Sequence, residues 1–247
     1  MDTPAQSSSR NPALVLLHGA VLNGRMWDPV AAELMADFEI LTPDLPGHGS
    51  RMGEPFRLAA AVTIVRDLVS SLAPAPVVLV GDSLGGYVSL ASASTLGGRL
   101  KGAVLGGCTA NFQGPASVPY AAQIGLTKLV PPAKLQTRLE QRIPKDYAAG
   151  AAILKGGIRP AAFAEAVAEL KRVSFRAELA GLEVPILFVN GARDWLHRLG
   201  ERGTLAAARN ATLHRIPDVG HGVSILRPLI FAALIREFVA AHRLGPA

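Results

Sequence analysis

Residues 77–86 read Val-Val-Leu-Val-Gly-Asp-Ser-Leu-Gly-Gly, and this run constrains the fold most tightly. Four consecutive apolar residues of high β-propensity predict a strand buried on both faces. A helical pattern opens at Leu84 and continues to Leu96. The chain must therefore turn sharply from strand into helix, with Ser83 at the tip of the turn. Glycines stand two residues before the serine and two after it, where a side chain would clash in so tight a bend. A buried strand feeding directly into a helix is the unit of a parallel sheet.

The same unit recurs. Short apolar runs at Ala13–Leu17, Phe38–Thr42, Gly102–Leu105, Pro185–Val189 and Thr212–Ile216 predict further strands. Helical spacing marks Asp28–Ala36, Phe56–Leu72 and a closing segment Gly222–His242, with an apolar stripe at Ile225, Leu229, Ala232, Ile235, Phe238 and Val239. The alternation breaks once, over residues 112–182. That stretch is helical and punctuated by Pro115, Pro119, Pro131, Pro132, Pro144 and Pro160, and it contains no strand-like run. It reads as a helical insertion within a single domain, 1–247. The expected class is α/β, a mostly parallel sheet with helices on both faces, of six strands or with one extra. Residues 1–12 read as a tail.

Composition narrows the function classes. At 49% hydrophobic and 18% charged, the chain is a packed globular protein. A single cysteine forms no internal bridge. The first residues lack the basic stretch and apolar run of a signal peptide. No segment approaches the roughly 18 uninterrupted apolar residues of a membrane span. The expected setting is the cytoplasm, with no membrane partner. A net charge of +6 raises nucleic-acid binding, but there is no tight basic run and no interleaving of basic and aromatic residues. No nucleic-acid partner is expected. The excess is concentrated in Asn111–Ala180, with ten Lys or Arg against five Asp or Glu.

A serine becomes a nucleophile when it is exposed, aligned with a base and adjacent to oxyanion donors. Around Ser83 the chain resembles the α/β-hydrolase superfamily, over about Ala13 to His242. Four further motifs carry the resemblance. Leu17-His18-Gly19-Ala20 ends the first strand, like the family's His-Gly oxyanion loop. Asp44-Leu45-Pro46-Gly47-His48-Gly49-Ser50 is similar to the family's Asp-x-x-Gly-x-Gly-Ser loop. Gly191-Ala192-Arg193-Asp194 follows a strand where the family places its acid. Gly220-His221-Gly222 follows the last strand, where it places its histidine. The order Ser83, Asp194, His221 is the family's chain order.

Among six histidines, His214 falls in an expected strand and His242 on a terminal helix, while His18 and His48 sit in glycine loops near strand tips. His197 is the sixth. His221, flanked by glycines after the last strand, is the expected base. Asp194 is the expected acid, with Asp218 as the alternative and a turn at Ile216-Pro217-Asp218 as its other reading. A halide-releasing branch of the superfamily uses an aspartate as nucleophile, which makes Asp82 a candidate, but two residues after it stands Leu84, not glycine. Its neighbour Ser83 has Gly85, so the nucleophile expected is Ser83.

The resemblance implies an oxyanion hole from the backbone N–H groups of Ala20 and Leu84, the latter at a helix N-terminus. It implies that residues 112–182 form a cap over the strand tips, where ligands of open α/β sheets bind. Asn23, Trp27, Phe112, Tyr120 and Trp195 are the candidate substrate-binding residues; Ile124, Leu126 and Leu129 are further apolar candidates, and Cys108 reads as an inert buried thiol. The activity implied is hydrolysis of a small-molecule carboxylic ester or lactone through an acyl-enzyme, with no metal and no organic cofactor. Carbon–carbon bond hydrolysis, peracid formation and a slow or non-catalytic receptor are alternatives on the same fold. No pattern in the sequence sets an oligomeric state.

Overall fold

A computed structural model describes residues 11–244. Of the expected tail, residues 1–10 lie outside them; Asn11 donates from its side-chain amide to the Asp37 carbonyl at 2.9 Å. Six strands form one sheet: β1 (Ala13–Leu17), β2 (Ile40–Leu41), β3 (Val77–Asp82), β4 (Leu100–Gly106), β5 (Ile186–Gly191) and β6 (Ala211–Ile216). Their order is β2-β1-β3-β4-β5-β6 and every neighbouring pair is parallel.

The inner strands are buried on both faces, as their continuous apolar runs require. Alternate residues serve opposite faces. Val15, Leu17, Val77, Leu79, Leu105 and Phe188 share one core with α2 (Leu58–Ser71), α3 (Leu84–Ala93) and α8 (Phe175–Ala180). Leu14, Leu16, Val78, Val80 and Val104 share the other with α1 (Asp28–Leu34), α10 (Val223–Leu226) and α11 (Pro228–Ala241). Expected Phe38–Thr42 shortens to two paired residues at the sheet edge. The single closing helix is split: Arg227 has φ −136°, and Pro228 then starts α11, because the proline ring disfavours helical backbone at the preceding residue.

Between β4 and β5 the described residues form helices and no strand: α4 (Val118–Lys128), α5 (Pro132–Asp146), α6 (Gly150–Gly156), α7 (Ala162–Leu170) and α8. Pro132 opens α5 at its first position, where the missing N–H costs nothing. One helix was not foreseen, α9 (Trp195–Ala207). Its buried residues are His197, Gly200, Glu201 and Thr204, a helically spaced face with no apolar side chain, so a search for apolar periodicity passes over it.

The strand order sets the position of the site. The chain leaves β1 toward β2 on one side and later places β3 on the other. Loops from the C-terminal ends of β1 and β3 therefore diverge, opening a crevice at the strand tips. No helix among the described residues is long and apolar enough to cross a membrane.

Candidate active site

Ser83 sits between β3 and α3 with φ 51° and ψ −113°, outside the usual regions for a side-chain-bearing residue. The fold holds it there by close packing. A Cβ on Gly85 would lie 1.9 Å from the Leu17 carbonyl oxygen, and one on Gly81 would lie 2.5 Å from the Gly85 backbone. Neither strand nor helix can move away without opening the core, so glycine is required at both positions.

His221 lies in the loop after β6. Its Nε2 is 2.9 Å from Ser83 Oγ, and its Nδ1 is 2.8 Å from Asp194 Oδ2. A carboxylate only accepts, so Nδ1 carries a proton, and in the neutral ring Nε2 is then the acceptor for the serine hydroxyl. Burial disfavours the Asp194 anion, but the N–H donors of His197 and His221 outweigh it and hold the carboxyl well below the ordinary carboxylate range. The protein around His221 disfavours its imidazolium. The Asp194 hydrogen bond and the charges of Asp194 and Asp82 outweigh that and raise its pKa above the ordinary value.

Ala20 follows β1 and Leu84 opens α3; both line the same cavity as Ser83. Neither N–H donates to another described residue. The loop carrying Ala20 is fixed by His18. Its Nε2 accepts from the Leu45 N–H at 3.0 Å, so its Nδ1–H donates to the Gly19 carbonyl at 2.9 Å. Burial holds this ring neutral, with the pKa lowered to about 3. Asp44 ties the neighbouring loop, accepting from the Gly24 N–H and from Ser50 N–H and Oγ–H, each at 2.8 Å. His48 packs against the His18 ring with centroids 4.9 Å apart, and burial lowers its pKa. His214 is exposed on β6 and His242 is exposed at the end of α11. Asp218 is exposed, paired with Arg193 at 2.7 Å.

The cavity beside Ser83 has a volume of about 290 Å³. Phe112, Tyr120 and Trp195 line it, as the sequence leads one to expect, together with Tyr87, Gln123, Phe163, Val167, Leu170 and His197. Asn23 and Trp27 do not, and this corrects the expectation for them. Asn23 is fully buried: its amide donates to the carbonyls of Ile153 (2.8 Å) and Gly157 (2.6 Å), and its Oδ1 accepts from the Arg25 N–H. It ties the loop after β1 to α6. Trp27 is fully buried against Phe231 in the core behind the sheet. Leu126 and Leu129 are exposed, and Ile124 lines a second, apolar cavity of about 540 Å³. Gln123 and Phe163 line both cavities. Cys108 is buried under α3, and burial raises its thiol pKa.

Asp82 does not line the cavity. It is buried, its Oδ1 lacks a partner among the described residues, and burial raises its pKa to about 6, against the opposing influence of His221 and Ser224.

His197 is the residue that sequence reasoning left without a place. It stands three residues after Asp194, the N-cap of α9. At that spacing a helix brings the third side chain back toward the cap, which is the signal that could have found it. Asp194, His197 and His221 bring ligand-type atoms within 4.8 Å of one another, the one such group among the described residues. Both imidazole Nδ1 atoms face one carboxylate. At 3.1 and 2.8 Å this is the geometry of two N–H donors sharing an acceptor.

Comparison with known proteins bears on the whole arrangement. A curated relative, the pimeloyl-[acyl-carrier protein] methyl ester esterase of Xanthomonas oryzae pv. oryzae, is 28% identical over 93% of this chain and 96% of its own. Among solved structures, a thermophilic esterase from Thermogutta terrifontis superposes with a TM-score of 0.76 at 23% identity, over 95% of this chain and 91% of that one. A putative non-heme bromoperoxidase of Mycobacterium tuberculosis gives 0.76 at 20% identity, over 95% and 94%. Both likenesses are likenesses of fold. The family model described as the alpha/beta hydrolase family matches residues 14–234. With nearly the whole sheet and every strand-tip loop inside that match, the chain belongs to the alpha/beta hydrolase family.

Proposed function

We propose that this protein is a serine hydrolase that cleaves a small-molecule carboxylic ester, or a lactone, through an acyl-enzyme. One observation carries the proposal. A hydroxyl in a strained strand-to-helix turn, an imidazole and a buried carboxylate lie within hydrogen-bond distance in series, at 2.9 and 2.8 Å. Ser83 Oγ attacks the substrate carbonyl while its proton passes to His221 Nε2. Asp194 keeps the ring in the required tautomer and stabilises the imidazolium. The tetrahedral oxyanion is held by the N–H groups of Ala20 and Leu84, aided by the positive end of α3. His221 then returns the proton to the departing alcohol, and activates the water that releases the acid.

The cavity walls support an apolar acyl or alcohol group. The helical segment 112–182 supplies seven of the sixteen lining residues, among them Phe112, Tyr120, Phe163 and Leu170, so it acts as a cap within a single domain. The name of the curated relatives, methyl ester esterases, favours esters over carbon–carbon or peracid chemistry for this chain as well. Wild type should release nitrophenol from a panel of p-nitrophenyl acyl esters, and Ser83→Ala, folded, should not. Hydrolysis that survives in Ser83→Ala would overturn the proposal.

A further inference from the structure

The acid of this site has two histidines. His197 Nδ1 lies 3.1 Å from Asp194 Oδ1 and 3.0 Å from Oδ2, and its ring is stacked on His221 with centroids 4.4 Å apart and planes at 19°. Its Nε2 lies 3.3 Å from the Tyr120 hydroxyl on α4. The residue is 4% exposed. These contacts fix the tautomer. Asp194 accepts, so Nδ1 holds the proton and Nε2 accepts from the Tyr120 O–H.

The groups facing the ring are few. Asp194 and His221 lie on one side, and Tyr120 faces it from α4. The next acid along α9, Glu201, is turned away to Asn190 and Arg215. Thr109 Oγ1 donates to the His197 backbone carbonyl at 2.8 Å. Burial and the His221 charge lower the His197 pKa, against the Asp194 hydrogen bond, so the ring stays neutral beside the His221 imidazolium. Burial raises the Tyr120 pKa, so its hydroxyl stays a donor.

We propose that His197 is a positioning residue for the hydrolysis: its Nδ1–H holds the Asp194 carboxylate in the orientation that His221 needs, and takes a share of that carboxylate's charge. This rests on the proposed Ser83–His221–Asp194 reading. Two consequences follow from the shared acceptor. An Asp194 that loses this donor keeps only the His197 backbone N–H on Oδ1, at a long 3.4 Å, so it can rotate about χ2 and alignment of His221 suffers. The same Asp194 is also a stronger partner for the imidazolium, so the His221 pKa rises. Loss of packing alone would produce the first effect but not the second. Through Tyr120, the same hydrogen bonds tie the acid to the cap helix α4.

The test is the rate of inactivation by a small fluorophosphonate between pH 5 and 9, read by intact mass. This measures serine activation without a known substrate. Single labelling of wild type, absent in Ser83→Ala, establishes the underlying reading separately from this inference. His197→Phe keeps a stacking ring and removes the Nδ1–H. Its inactivation rate should fall about tenfold or more, and its acid limb should move up by about half a pH unit or more. His197→Asn restores a donor where Nδ1 stood and should recover the wild-type limb and most of the rate. A His197→Phe protein that is labelled like wild type would overturn the inference. So would a slower His197→Phe with an unmoved limb, or a His197→Asn no better than His197→Phe. Thermal melts identify a variant that has not folded; His197→Gln, which cannot reach Asp194 as Nδ1 does, then replaces His197→Phe.

Discussion

Asp82 shows how one side chain sets a pH dependence. Burial raises its carboxyl to about 6 in the folded protein, against an ordinary value of 3.8. A carboxyl raised on folding is favourable in its protonated form, so stability falls as pH rises from about 4 to about 6 and stays reduced above. The cost at neutral pH is of the order of 3 kcal/mol. Asp82→Asn should therefore melt higher than wild type at pH 8, with the gain shrinking toward zero near pH 4. A gain that did not depend on pH would assign it to packing. The same charge helps to raise the His221 pKa. In Asp82→Asn the acid limb of kcat/KM should move to lower pH. The sequence exposed Asp82 as an acid beside the proposed nucleophile but not its burial, because which way the last residue of β3 turns depends on the neighbouring strand.

The elements divide by what their buried faces are made of. Strand β1, β3 and the start of α3 were legible because apolar runs and two obligatory glycines leave one way to connect them. The expected β3 stopped at Val80, two residues early, since Gly81 and Asp82 pair with Leu105 and Gly106 despite their low β-propensity. Helix α9 was hidden because it is anchored by polar contacts. Asn190 of β5 donates to Glu201 at 2.9 Å and to Thr109 at 2.8 Å, and Thr204 donates to the Thr109 carbonyl at 3.0 Å. Glu201 also pairs with Arg215 on β6. This network seats the helix whose first cap is Asp194. Glu201→Ala should lower stability by about 1–3 kcal/mol and reduce kcat more than KM, since the acid and not the cavity is displaced. A drop in Tm with kcat intact would separate the seat of α9 from the position of Asp194.

At the scale of the whole molecule, four loops that are distant in sequence meet because the sheet is parallel. All strand tips then point one way, so Ala20, Ser83, Asp194 and His221 arrive at one end. That convergence was readable from the alternation of strands and helices, which predicts a parallel sheet, whereas the side chains that line the cavity were not. Asn23 and Trp27 share the loop of Ala20 yet turn into the protein, and helix faces such as those of Leu126 and Leu129 are settled only by packing. Charge acts at this scale too. On α5, Lys134, Arg138, Arg142 and Lys145 are exposed, and only Arg142 has an acid partner among the described residues, Asp146. Such a surface draws in anions by its summed field, which salt screens over about 10 Å. For an ester bearing a carboxylate, kcat/KM should fall between low and high salt while that of a neutral analogue stays flat. Equal responses would assign the basic helix to solvation alone.

The central claim is that Ser83 is activated by its neighbours. Brief exposure to a fluorophosphonate, followed by intact-mass spectrometry, tests it most directly, because the reagent labels a serine only when base and oxyanion donors are in place. One adduct on wild type and none on folded Ser83→Ala is the expected result. No adduct on wild type, or an equal adduct on both, would contradict it.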